Sequence, residues 1–265
     1  VETYVADYDA ARTDNAYTGA LKGKNLIMVQ LEAIDTWMLD GYMPNLKKLK
    51  EEGISFTNHY TPAYITAGTF NTEFMANTGL LPATGGIPTS VYSQNAYPYS
   101  MANLFRQAGY TARAFHNSEG TVYDRGTIHP NLGYEHYYGG SELAMENYQL
   151  DRYLLNGFDR MTEQEPFYSF VITYSGHGPY GDESPIYQAH AQQARQAAAR
   201  TDGNYVYAVA GAMETDQFVA ELLAKLEASG HLDDTALVFY ADHYNYYMMD
   251  DPLNMELKGV DNMNM

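Results

Sequence analysis

The chain has 265 residues, no cysteine and a formal charge of −18. That length suits one large domain or two small ones and allows a single substantial core. The missing cysteine excludes disulfides, thiolate zinc sites and a cysteine nucleophile; the acidity argues against a nucleic-acid partner and against simple adhesion to anionic lipid headgroups. No run reaches the roughly 18 apolar residues that a membrane span needs, and no signal peptide is visible. The sequence opens on Val1, so it reads as a fragment or a processed product. Its 26 tyrosines are expected half-buried or lining a polar cleft.

Residues 1–23 are polar and mixed, a lead-in helix or linker broken by Gly23. The run Asn25 to Leu31 predicts a buried strand that stops at Glu32. Residues 43–53 predict a short amphipathic helix, with Pro44 near its start and Gly53 as its stop. Residues 54–60 alternate like a second strand. Residues 69–78 predict a helix ended by Gly79, and 80–98, rich in Pro, Gly, Thr and Ser, a loop. A helix at 101–107 closes at Gly109. A strand at 111–115 ends at His116, and 164–173 contains another, followed by His177 in a Gly-rich turn. Helices are expected at 189–200 and 206–228, the second closed by Gly230. The last strand, 235–240, leads to Asp242-His243. The tail, 247–265, trails off where further strands would be expected. Strand–helix alternation predicts an α/β fold, a mostly parallel central sheet flanked by helices. The reading divides the chain into a lead-in, 1–24, and a C-terminally incomplete catalytic domain, 25–265.

Ligands of open α/β sheets gather beyond the carboxyl ends of the strands. Glu32 and the Asp242-His243 pair both fall there, and acidic and imidazole groups are costly to bury unpaired. A metal would offset that cost. Mixed carboxylate and imidazole donors suit Mn²⁺ or Zn²⁺, and mostly oxygen donors Mg²⁺. Thr69 admits two readings. It is a good N-cap, nearly in a capping box with Thr72 and Glu73; it is equally a hydroxyl at a helix N-terminus, where a metal would make it a nucleophile. His116, Arg125 and His177 could surround a phosphate. His59, His129, His136, His190 and His231 read as surface or core residues. The four strongest positions, Glu32, Thr69, Asp242 and His243, together describe a metal-centred phosphoryl-transfer site.

From about residue 17 to 247 the chain resembles the lipoteichoic acid synthase family, within the alkaline phosphatase and sulfatase superfamily. Residues 25–32 look like the family's first strand with its metal Glu. Residues 53–60 look like the segment leading to the nucleophile, and 240–244 like the closing metal motif. The Cys-x-Pro-x-Arg or Ser-x-Pro-x-Arg motif of sulfatases is absent. Thr69 with Glu73-Phe74 matches the synthases instead. The resemblance implies a sulfatase-like fold and one divalent ion, Mn²⁺ by expectation and Mg²⁺ or Zn²⁺ otherwise, held by Glu32, Thr69, Asp242 and His243. It also implies substrate contacts from His116, Tyr123, Arg125 and His177. Tyr123 stands where the synthases commonly carry Trp, which bears on the shape of the glycerol pocket. The implied activity moves glycerol phosphate from a phosphatidylglycerol-type lipid through a phosphothreonine to a glycolipid or polyglycerol-phosphate acceptor. The implied location is the extracellular face of the cell membrane, with anchoring helices N-terminal to this sequence. A hydrolase of the same superfamily, a phosphatase, phosphodiesterase or sulfatase, is the alternative. A binding domain that keeps the fold without catalysis is a further one, marked by loss of a ligand or of Thr69, and neither is lost.

Overall fold

Five short apolar runs pair into one parallel sheet. The computed structural model describes residues 13–61, 68–82 and 92–261. β1 (Asn25–Leu31), β2 (Thr111–His116), β3 (His136–Tyr138), β4 (Phe167–Ile172) and β5 (Thr235–Ala241) lie in the order β3-β2-β4-β1-β5. All four pairings are parallel, so each connection must cross over the sheet, and helices do this. Successive side chains of a strand point to opposite faces. Ile27, Val29 and Leu31 therefore enter one core, with Phe115, Val171 and Phe218. Leu26 enters the other, with Phe70, Phe74, Tyr168 and Phe170.

The helices that cover these faces carry recognisable ends. After α1 (Thr36–Leu39), α2 (Pro44–Glu52) starts on its proline and stops at Gly53. α3 (Gly68–Thr78) and α4 (Met101–Gln107) lie close to their expected bounds. α5 (Arg125–Leu132) and α6 (Phe158–Thr162) are short, and α7 (Pro185–Ala197) begins four residues before its expected start at 189. The long α8 (Gly203–Ser229) is capped by the Asp202 side chain, which accepts the Tyr205 N–H at 2.9 Å. Gly230 closes it in the left-handed conformation at φ 78°, which glycine adopts without steric cost.

Two expectations fail. Residues 54–60 form no strand, and Ile54, Phe56 and Tyr60 are 60%, 79% and 73% exposed. Alternation is a strand signal only where a sheet edge accepts the backbone, and none does so here among the described residues. The tail does not simply trail off: α9 (Asp251–Lys258) forms there, with the Asp250 side chain accepting the Leu253 N–H and Gly259 in the left-handed conformation. Residues 1–12 of the lead-in, 83–91 of the loop and 262–265 of the tail lie outside the described residues. No described helix is long and apolar enough to cross a membrane.

The register sets up the site. Leu31 lies beside Ala241, and Gln30 and His116 both lie beside Ile172. The residues just beyond these positions must meet at one edge of the sheet.

Candidate metal centre

Glu32 and Asp242 each stand one residue beyond a strand end, on neighbouring parallel strands. Both are buried, as is His243. One ligating atom of each lies within 4.8 Å of the others. His243 Nε2 is 3.2 Å from Glu32 Oε1 and 3.4 Å from Asp242 Oδ2. These three atoms are buried without a hydrogen-bond partner, although buried polar atoms are nearly always paired. Every other donor position around them is satisfied. Glu32 Oε2 accepts the Thr69 hydroxyl at 2.9 Å, and Asp242 Oδ1 accepts the N–H groups of Ala33 and His243. The His243 Nδ1–H donates to the Tyr244 carbonyl at 2.9 Å, which turns Nε2 toward the two carboxylates. Such a backbone partner is what fixes a ligating imidazole's tautomer. The donor set, two carboxylate oxygens and an imidazole nitrogen converging on one point, fits a divalent cation.

Titration follows from the same crowding. Burial pushes the Glu32 carboxyl up, but the adjacent His243 outweighs it and holds the group at about 2. Burial, and then the Glu32 charge, drive Asp242 well upward. Burial lowers the His243 imidazole, but the carboxylates raise it to about 9.

Thr69 reaches this centre because α3 starts beside it. A Cβ on Gly68 would come within 2.7 Å of His243 Cδ2, so only glycine lets the helix begin so close. The capping-box reading is not realised. Thr69 is the second residue of α3 and gives its hydroxyl to Glu32, and the Thr72 hydroxyl donates to the Asp242 carbonyl at 2.6 Å. Gln30, buried between Val29 and Leu31, donates from its amide to the Thr69 carbonyl at 3.0 Å and accepts the Tyr240 hydroxyl. A lone amide inside an apolar run was the available sign of that role.

Of the residues expected to contact substrate, His116, Tyr123 and His177 interact electrostatically with Glu32, and Arg125 neighbours His116 and Tyr123. The His116 Nδ1–H donates to the Ile172 carbonyl at 2.9 Å, so Nε2 is its free nitrogen. Burial, then the nearby Arg125 charge, holds this imidazole down at about 3, and it is neutral at working pH. His177 lies flat on Tyr174, with ring centroids 4.9 Å apart, and 4.7 Å from Tyr247. Its Nδ1 is in contact with the Gly178 carbonyl. Tyr123 packs between Phe70 at 5.7 Å and the Arg125 guanidinium at 5.0 Å. Arg125 is 1% exposed and gives Nε and Nη2 to Glu73, which also accepts His129 Nε2. That role of Glu73 was not read from the sequence, since its partners lie 52 and 56 residues away.

The turn that carries His177 is locked onto Glu32. Asp151 accepts the N–H groups of Tyr174 and Ser175 at 2.7 and 3.1 Å. A Cβ on Gly176 would drive into the Glu32 carbonyl oxygen. Gly176→Ala is expected to cost about 3 kcal/mol or more, since the clash is with backbone. Urea denaturation would show it as a lowered midpoint at unchanged m-value.

A parallel α/β sheet with acidic and imidazole groups gathered at its strand ends defines a class. The sulfatase family profile matches residues 24–253, and the chain belongs to that family. Among its curated relatives, the lipoteichoic acid synthase of Staphylococcus saprophyticus is 28% identical over 244 residues, 86% of this chain and 37% of that protein. Lipoteichoic acid synthase 2 of Bacillus subtilis is 27% identical over 92% of this chain and 39% of its own length. The chain thus spans under two-fifths of these relatives. The crystal structure of a lipoteichoic acid synthase from Listeria monocytogenes superposes with a TM-score of 0.72 at 25% identity, covering 89% of this chain and 60% of that one. A phosphoglycerol transferase from Streptococcus pyogenes, in complex with sn-glycerol-1-phosphate, shares the fold at a TM-score of 0.60 and 18% identity, over 96% and 70% of the two chains.

Proposed function

We propose that residues 25–265 form the catalytic unit of a metal-dependent phosphoglycerol transferase of the lipoteichoic acid synthase type. One observation carries this reading: three buried ligand atoms without partners converge beside a threonine hydroxyl already bonded to one of the same carboxylates. The donor is a phosphatidylglycerol-type head group, and the acceptor a glycolipid or polyglycerol-phosphate chain. The place of action is the extracellular face of the membrane, where such head groups are presented. The kinship with lipoteichoic acid synthases supports donor, acceptor and location.

Glu32, Asp242 and His243, with Thr69, would hold one divalent ion. Manganese suits the mixed donor set best, with Mg²⁺ or Zn²⁺ as alternatives. When bound, the ion supplies positive charge that lowers the pKa of the threonine hydroxyl and offsets phosphoryl charge. The chain's own groups do the rest. Thr69 Oγ1, positioned by Glu32 and by the start of α3, attacks phosphorus as its proton passes to the Glu32 carboxylate that already accepts it, and it regains that proton when the acceptor oxygen attacks and the Oγ–P bond breaks. The Oγ–P bond forms as the bond from phosphorus to the diacylglycerol oxygen breaks, leaving a phosphothreonine ester. Arg125 offsets charge on the phosphoryl oxygens. His116, neutral, offers Nε2 as an acceptor to a substrate hydroxyl. His177 exchanges the proton, giving it to the leaving diacylglycerol oxygen and later taking it from the acceptor hydroxyl.

The reading is tested with labelled phosphatidylglycerol and Mn²⁺. Transfer predicts diacylglycerol release and label on an added glycolipid. Label recovered only as free glycerol phosphate would instead make the protein a hydrolase of the same superfamily.

Metal uptake should depend on pH with a definite sign. A His243 imidazole raised to about 9 must lose its proton before Nε2 can coordinate. Affinity is therefore expected to rise with pH up to about 9, by about tenfold per unit for one displaced proton. Calorimetric titration with Mn²⁺ from pH 6 upward, in buffers of different ionisation enthalpy, would count that proton. A flat profile would mean that no His243 proton is displaced on binding.

A further inference from the structure

We infer that Glu73 and His129 are a positioning pair for the phosphate-binding edge of Arg125, and that they tie this edge to the nucleophile through a single helix. The inference rests on the assignment of Arg125 to the substrate phosphate made above. Glu73 lies four residues after Thr69 on α3, hence on the same helix face one turn along. It is 1% exposed, as is Arg125, and His129 is fully buried. Glu73 Oε2 accepts Arg125 Nε at 3.0 Å and Nη2 at 2.8 Å, and Glu73 Oε1 accepts His129 Nε2 at 2.6 Å. Burial pushes the Glu73 carboxyl up, but the Arg125 charge and the His129 hydrogen bond outweigh it and hold the group at about 2.

A guanidinium has five N–H donors in a planar fork. Glu73 occupies Nε and one hydrogen of Nη2. Ser118 Oγ accepts from Nη1 at 3.2 Å. The Tyr137 hydroxyl also interacts with the guanidinium, which leaves one Nη hydrogen to grip a phosphoryl oxygen. The Tyr123 ring, 5.0 Å from the guanidinium carbon, supports its face. His129 prevents the other motion: with its Nε2–H on Oε1, the carboxylate cannot rotate away from the guanidinium. The rings of Tyr134 and Tyr137 hold that imidazole at 5.1 and 4.9 Å. Thr69 and Arg125 come from segments more than fifty residues apart, yet their spacing is set by one turn of α3 and one bidentate pair.

The test compares wild type with Glu73→Gln, which keeps the shape and removes the charge. The probes are inorganic phosphate and sn-glycerol phosphate, both read as binding to the manganese-loaded protein. Glu73→Gln is expected to weaken both anions by about tenfold or more, the scale of lost second-layer support, and to raise the donor KM as well as lower kcat. Affinity for Mn²⁺ should stay within about twofold, since Glu73 touches no proposed ligand. In an Arg125→Lys background, the same change should add little, because Glu73 acts through the guanidinium. Lower thermal stability with unchanged anion affinity would overturn the proposal, as would losses that add fully in the double variant. If Glu73→Gln does not fold, His129→Gln carries the comparison, with the same weakening expected and unchanged anion binding again contrary. A wild type that binds phosphate but forms no adduct on Thr69 would sink the transfer reading and leave this one standing. A wild type that binds neither anion would overturn this one.

Discussion

Thr69→Ala is expected to abolish transfer, with kcat lowered at least about 10³-fold, as for other enzymes stripped of their covalent nucleophile. The fold should survive. Thr69 Oγ1 donates to Glu32 Oε2, and the helix start is held independently by Gln30 on the Thr69 carbonyl and by Thr72 on the Asp242 carbonyl. Thr69→Ser, which keeps the hydroxyl, should retain part of the activity. No covalent adduct should form on the alanine variant, whereas the serine variant should be labelled at residue 69. Diacylglycerol release by Thr69→Ala at more than a few per cent of the wild-type rate would mean that another group attacks phosphorus.

Asp242→Asn is expected to separate function from stability. Asp242 Oδ2 faces Glu32 and His243 without a hydrogen-bond partner, and burial, then the Glu32 charge, drive its carboxyl upward. An asparagine keeps the useful half of the side chain: Oδ1 can still accept from Ala33 and His243, at 2.9 and 2.7 Å in the native protein. Its amide nitrogen would replace the orphaned oxygen and donate toward Glu32. Removing one of two facing buried carboxylates should stabilise the metal-free protein by about 1 kcal/mol, or roughly 2–4 °C in Tm for a chain of this size. Metal affinity should fall by about 10²-fold or more, because an anionic ligand is gone. Functional centres commonly carry such a stability cost. Calorimetry with and without Mn²⁺ reads both effects, and a destabilised, metal-binding Asp242→Asn would refute the geometry of the centre.

The parts of this site that could be read from the sequence are those written in strand ends. Glu32 and Asp242-His243 each terminate a clean apolar run, and parallel pairing then brings them together without further information. Thr69 was legible as a candidate because its segment begins a helix after Gly68. Terminal glycines also marked the ends of α2, α3 and α8 well. What could not be read depends on partners far away in the chain. Nothing near Glu73 announces Arg125 or His129. Nothing near Asp151 announces Tyr174 and Ser175, whose N–H groups it binds. The strand expected at 54–60 shows the converse: its alternation is real, but pairing is a property of two segments. The helix α9 was overlooked although its cap was written plainly, in Asp250, Pro252 and Gly259.

One cation, held by Glu32, Asp242 and His243, would turn Thr69 into the attacking group. Peptide mass spectrometry after a brief incubation with phosphatidylglycerol tests it most directly, run in parallel with Mn²⁺ and with chelator. The account predicts a glycerol-phosphate adduct on Thr69 that appears only with the metal and disappears when acceptor is added. An adduct on any other residue, or one on Thr69 that forms equally well in chelator, would contradict it.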